Sequence, residues 1–195
     1  MGISTNDGML LVKAARKIVS KYLRDGAILQ DHNLESRFSA KSGVFVTLND
    51  SSGLRGCIGY PLPDRKLFDT LRDAAIAAAT EDPRFSPLKP EELDAVTFEV
   101  TVLTLPEKIH VKNPKEYLKE ISIGRDGLIV RDGSRSGLLL PQVPTEYGWN
   151  AKEFLEHACE KAGLPKCCWM EHGIEIQKFQ GIIFREEFPG GSIIS

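Results

Sequence analysis

Residues Gly43 to Tyr60 read GVFVTLNDSSGLRGCIGY, and they carry the strongest structural signal in the chain. Gly43 to Leu48 places Val44, Val46 and Leu48 at alternate positions and is rich in β-branched side chains. A turn cluster, Asn49 to Gly53, separates it from a second extended segment, Leu54 to Tyr60, which stops at Pro61 and Pro63. The pattern predicts a β-hairpin. With Asn49 to Gly53 as a five-residue loop, Leu48 pairs with Leu54, Val46 with Gly56 and Val44 with Ile58, so that the aliphatics share the core side. Side chains alternate along a strand. The outer side then carries Arg55 and Cys57, with Thr47 opposite Arg55 and Phe45 opposite Cys57. Gly56 and Gly59 flank the thiol and leave room for a ligand to approach the backbone.

On either side the elements fall into place. Leu11, Ala14, Ala15, Ile18 and Tyr22 recur at helical spacing over Met9 to Leu23, and Asp25-Gly26 ends that helix. Asp64 is positioned to cap a second, alanine-rich helix running to Thr80, followed by a proline-broken loop, Glu81 to Pro90. Val96, Phe98, Val100 and Val102 alternate with Thr97, Glu99 and Thr101, the pattern of a half-buried strand. Ile121 to Leu140 resembles a three-strand meander. Asn150 caps a helix whose stripe is Phe154, Leu155, Ala158, Cys159 and Ala162, closed by Gly163 and Pro165. A last strand is expected between Gly173 and Phe184, with a loose tail. Hairpins and meanders with separate helices make an α+β fold, an antiparallel sheet flanked by helices.

The 195 residues suit one domain, 42% hydrophobic and 27% charged, with a net charge of −2. This balance speaks against nonspecific nucleic-acid binding. No apolar run spans a membrane, and the first residues carry no signal-peptide pattern. Four cysteines, Cys57, Cys159, Cys167 and Cys168, are read as thiols of a cytoplasmic protein. His157 and Cys159 match no zinc spacing, so no metal is expected, and Gly53-x-x-Gly56-x-x-Gly59 is no nucleotide fingerprint, so no cofactor is either. Lys13, Arg16, Lys17, Lys21 and Arg24 form a basic stripe, read as a solvated helix face. A fixed positive charge beside Cys57 would favour thiolate over thiol. The plain alternative is a small apolar side chain in a strand, with Arg55 paired elsewhere.

Leu54 to Gly59, LRGCIG, resembles the signature of the AMMECR domain family. Asp82-Pro83-Arg84-Phe85-x-Pro87 resembles its second block and Phe98-Glu99-Val100, with Leu103 and Pro106, its third. Gly137 to Val143 (GLLLPQV), with Glu146 and Trp149, resembles a fourth. Phe154-Leu155 and Lys161 to Leu164 (KAGL) complete a series that runs in order along nearly the whole chain. The resemblance implies a larger portion holding both termini and a smaller one, placed here around residues 106–140. It further implies signature blocks gathered near a cleft, and association with Memo-type and radical-SAM proteins. It brings no established reaction.

Three functions fit these residues. In an enzyme, Cys57 is the nucleophile or a thiol ligand, Arg55 and Arg84 bind an anionic group, and Glu99 or Glu146 is the acid or base. Asp82, Gln142, Glu146, Gly56 and Gly59 complete its binding residues. A binding module would hold a small molecule, protein or RNA segment in the same cleft without turnover. A scaffold would serve a neighbouring redox or radical enzyme.

Overall fold

The first helix begins where the sequence offers a cap. In the computed structural model, which describes residues 2–195, the Ser4 hydroxyl accepts the Asp7 N–H, and the Asp7 carboxylate reaches back to Ser4. This capping box opens α1 (Thr5–Asp25). There follow α2 (His32–Arg37), β1 (Val44–Asp50), β2 (Gly53–Tyr60), α3 (Leu67–Thr80), β3 (Thr97–Leu103) and β4 (Glu107–Lys108). The chain continues through α4 (Tyr117–Glu120), β5 (Asp126–Asp132), β6 (Arg135–Leu139), α5 (Gln142–Tyr147), α6 (Ala151–Lys161), β7 (Glu175–Glu186) and β8 (Ile193–Ile194). The pairings β1–β2, β1–β3, β4–β7, β5–β6, β5–β7 and β7–β8 are all antiparallel, so the class is α+β. Two compact units emerge: residues up to Thr104 with Ile182–Ser195, and Leu105–Gly181.

In the first unit the strands run β2-β1-β3-β7, with β8 on β7. Val44, Val46 and Leu48 of β1, Phe98 and Val100 of β3 and Phe184 of β7 form one buried face. The apolar stripe of α1 and the alanines of α3 complete that core. Fully burying a Leu, Val or Phe is worth about 1.5–3 kcal/mol, so this layer dominates the unit's stability. Arg16 does not belong to a solvated stripe as its spacing suggested. Its Nε and Nη2 pair with Glu186 at 2.7 and 2.5 Å, and its remaining donors reach the Leu93 and Val96 carbonyls. Glu186, 6% exposed, also accepts the Phe98 N–H, so the pair ties the C-terminal strand to α1 and β3. The tail is correspondingly less loose than expected, since Ile193 and Ile194 pair back onto β7. Asp64 does not cap α3: the cap position is Lys66, which makes no side-chain hydrogen bond there.

In the second unit, Phe154, Leu155, Ala158 and Cys159 of α6 pack into a core with Leu128, Val130 and Ile176. Asn150 caps α6 as its sequence implies. Only β5 and β6 form where a three-strand meander was expected. The fully buried Asp126 carboxylate accepts the Ser122 N–H at 2.8 Å and the Gln180 amide at 2.8 Å, holding residues 122–126 in a turn instead. Trp149 stacks between Tyr147 and His157, at centroid distances of 4.9 and 3.8 Å. The reading of four thiols is overturned here. Cys159 and Cys168 are joined in a disulfide across nine positions of sequence, leaving Cys57 and Cys167 free. Cys159 was correctly placed on the buried stripe, but its partner lies in a short turn whose path no periodicity reveals.

Candidate functional site

The hairpin that holds Cys57 is tighter than its sequence suggested. Asp50 accepts both the N–H and the hydroxyl of Ser52, at 2.7 and 2.6 Å, and so closes the turn over Ser51-Ser52 alone. The register shifts accordingly: Val46 faces Ile58, Thr47 faces Cys57, Leu48 faces Gly56, and Phe45 faces Gly59. A β-bulge then leaves Arg55 without a partner, because Asn49 pairs with Leu54. The bulge carries Leu54 out of the core to 40% exposure, on the side of Asn49 and Thr47, so its expected burial is wrong. The slip of two residues preserves parity beyond the bulge. Gly56 is buried and Ile58 packs against the core, as expected.

The two glycines are shaped by packing. A Cβ on Gly56 would stand 2.1 Å from the Ala78 carbonyl oxygen of α3, so the missing side chain lets the helix backbone press on the sheet. A Cβ on Gly59 would stand 2.2 Å from the Phe45 ring. Phe45 thus lies over Gly59, and the position facing Cys57 belongs to Thr47.

Pairing across three strands places Cys57, Thr47 and Glu99 in one row on the sheet face opposite α1 and α3. All three are half-buried. The Thr47 hydroxyl donates to Cys57 Sγ at 3.3 Å. Burial pushes the Glu99 carboxyl above its ordinary range, and the nearby positive charge of Arg185 offsets part of that rise.

The edge of β2 beside Cys57 is closed by the loop after α3. Asp82, 4% exposed, accepts the Cys57 N–H at 2.9 Å, and Arg84 Nη2 donates to the Cys57 carbonyl at 3.4 Å. Arg84 also holds both oxygens of Asp82, at 2.9 and 2.7 Å. This guanidinium holds the Asp82 carboxyl far below its ordinary range, with the Cys57 and Arg84 N–H groups adding to the effect against the cost of burial. Arg55 points to the same loop: it donates to Glu92 at 3.1 and 3.0 Å and to the Ser86 carbonyl at 2.9 Å. Glu92 is in turn held low by the Lys89 N–H, against burial, and then by Arg55.

Cys57, Arg55, Asp82, Arg84 and Glu99 therefore belong to the first unit. Arg55 and Arg84 are both paired with carboxylates, and Asp82 holds backbone in place. Gln142 and Glu146 are exposed on α5 of the second unit. Thr47 and Arg185 were missing from the candidate residues. Alternation alone would have placed Thr47 on this face, but only the true register sets it opposite Cys57. Arg185 follows from the same alternation in β7, where Phe184 and Glu186 point inward.

A model of the AMMECR1 family matches residues 12–184. A protein of Methanopyrus kandleri is 48% identical over 194 residues, covering 98% of this chain and 94% of its own. One of Methanocaldococcus jannaschii is 47% identical over 194 residues, covering 98% and 96%. The crystal structure of an uncharacterized protein from Pyrococcus horikoshii is similar with a TM-score of 0.78 at 45% identity, covering 98% of this chain and 97% of that one.

Proposed function

This chain belongs to the AMMECR1 family, and we propose that the sheet face carrying Cys57 is a thiol-centred reaction site. The observation that supports this is the row itself: a free thiol, a hydroxyl and a half-buried carboxyl with a raised pKa, on adjacent strands. Rigid strands hold such groups at fixed separation, as nucleophilic catalysis requires. Cys57 Sγ attacks an electrophilic carbon, such as an acyl carbon. Its proton leaves to solvent, and the Thr47 hydroxyl, which donates to Sγ, steadies the thiolate. The new sulfur–carbon bond forms as the leaving group departs with a proton from Glu99, and a second nucleophile, giving its own proton back to Glu99, then releases the acyl group. A carboxyl that burial makes hold its proton more tightly than an ordinary one suits both halves of this exchange. Asp82 and Arg84 hold the Cys57 peptide still and touch no substrate.

A second reading keeps the same face as a binding surface without turnover, for a small molecule or for a Memo-type or radical-SAM partner. The pairing of Arg55 with Glu92 and of Arg84 with Asp82 favours it, because both guanidinium groups are already held by carboxylates.

Intact-mass analysis after incubation with small acyl esters and thioesters separates the two. The reaction reading expects an adduct on Cys57, absent in Cys57→Ser and slower to form in Glu99→Gln. A ligand from cell extract retained equally by wild type and Cys57→Ser, with no adduct on Cys57, would favour the binding reading.

A further inference from the structure

Three of the four cysteines meet at the end of α6, in the second unit. Cys159 of α6 and Cys168 of the turn after it are bonded and buried, at 0% and 1% exposure, while the neighbouring Cys167 is free and exposed. The turn has little else to hold it. Its backbone hydrogen bonds are local: the Leu164 N–H donates to the Cys159 carbonyl, Cys168 to Pro165 and Met170 to Cys167. Trp169 is buried in the same core as the disulfide, and its indole N–H has no acceptor, which works against the closed packing. Burial also shields both bonded sulfurs from thiols in solution, and exchange needs a thiolate that reaches one of them. Cys167 is placed to do so. The Cα atoms of Cys159 and Cys168 are 6.0 Å apart, and neighbouring Cα atoms about 3.8 Å, so Cys167 lies no more than about 10 Å from Cys159. A bridge spans about 4.4–6.8 Å, which a shift of this one turn by a few ångströms supplies. Cys168 itself is no target for Cys167, because adjacent Cα atoms stand too close for an unstrained bridge.

We propose that these cysteines form a redox-sensitive clasp in which Cys167 is the exchange thiol. The Cys167 thiolate attacks Cys159 Sγ, the bond to Cys168 breaks, and Cys168 leaves with the electron pair and takes up a proton. The new Cys159–Cys167 disulfide has one sulfur at the surface. A low-molecular-weight thiol attacks that sulfur and frees Cys159, and a second such thiol removes the first from Cys167. Two small thiols thus become one small disulfide as Cys159 and Cys168 are reduced, and the turn at residues 162–171 is released from α6 together with Trp169. A small disulfide runs the same steps in reverse and closes the clasp.

The test reduces the folded protein with 2-mercaptoethanol, quenches samples in acid, alkylates them in denaturant and weighs them intact, so that opening of the disulfide appears as two further adducts. Wild type should open at least about 10-fold faster than Cys167→Ser, because its disulfide is handed to an exposed sulfur without unfolding the core. Cys168→Ser, treated with hydroxyethyl disulfide, should carry a Cys159–Cys167 bridge on peptide mapping. In Trp149→Phe, where Trp169 is the remaining tryptophan, emission should shift to the red in step with reduction. Equal rates in wild type and Cys167→Ser, or a Cys168→Ser protein that holds only mixed disulfides, overturns the exchange role of Cys167. Emission that stays unshifted after full reduction overturns the release of the turn.

Discussion

Asp82 does for β2 what a neighbouring strand would otherwise do. A backbone N–H at a sheet edge needs an acceptor, and the carboxylate supplies one to Cys57 while Arg84 closes over the carbonyl. Asp82→Ala leaves that N–H unpaired and should cost about 1–3 kcal/mol in denaturant unfolding. Because the folded pKa of Asp82 lies below its ordinary 3.8, the unfolded chain takes up the proton first on acidification. Its stabilisation is complete above that value and is lost as the pH falls through the folded pKa, so the cost of the substitution should shrink in strong acid. Glu99 has the opposite sign. Its folded pKa is raised above the ordinary 4.5, so stability falls as the pH rises from there through the folded value. Glu99→Gln should therefore raise the unfolding midpoint at pH 7 and leave it unchanged near pH 3. An unchanged midpoint at pH 7 would show that the carboxyl is not held against its preference. Alternation along the strands made the faces of Cys57 and Glu99 legible in the sequence. The pairing of Arg55 was not, since Glu92 lies 37 residues away and nothing local marks it as the partner.

At the level of elements, the bulge and the two-residue turn separate the observed hairpin from the expected one. A five-residue loop aligns every aliphatic of the hairpin with a core position. The chain instead leaves Leu54 exposed, and gains an Asx turn at Asp50 and a bulge that turns Arg55 toward the loop. Parity survived because the register moved by two, so Gly56, Cys57 and Ile58 kept their faces. Gly56→Ala would drive a methyl into the α3 backbone and should cost about 1–3 kcal/mol or more. Leu54→Ala, by contrast, should stay within about 0.5 kcal/mol. Chemical denaturation of the two variants checks both, and a large loss for Leu54→Ala would restore the register inferred from the sequence. The start of α6 was legible from its cap, Asn150, but α1 begins at Thr5, behind the Ser4 cap and four residues before the expected Met9, and Asp64 does not cap α3. The turn pinned by Asp126 was not legible, because a contact distant in sequence, with Gln180, does the work.

For the molecule as a whole, block order along the chain was enough to indicate the family and the α+β class, because both depend on local pattern. The state of the cysteines was not, because the partner of Cys159 is set by how a short turn folds against α6. The disulfide closes a loop of about ten residues, worth roughly 2–3 kcal/mol in the chain-entropy account. Replacing Cys159 and Cys168 by alanine should destabilise the protein by about that amount without altering the Cys57 row, which belongs to the other unit. A thermal melt compared with Cys57 labelling rates checks both halves. The central claim is that Cys57 is a working nucleophile on an accessible sheet face. Competitive alkylation of the intact, non-reduced protein at neutral pH, followed by peptide mapping, tests it most directly. The account predicts modification of Cys57 ahead of the exposed Cys167, with Cys159 and Cys168 labelled only after reduction. Rapid labelling of Cys167 with Cys57 reached only after unfolding would contradict it.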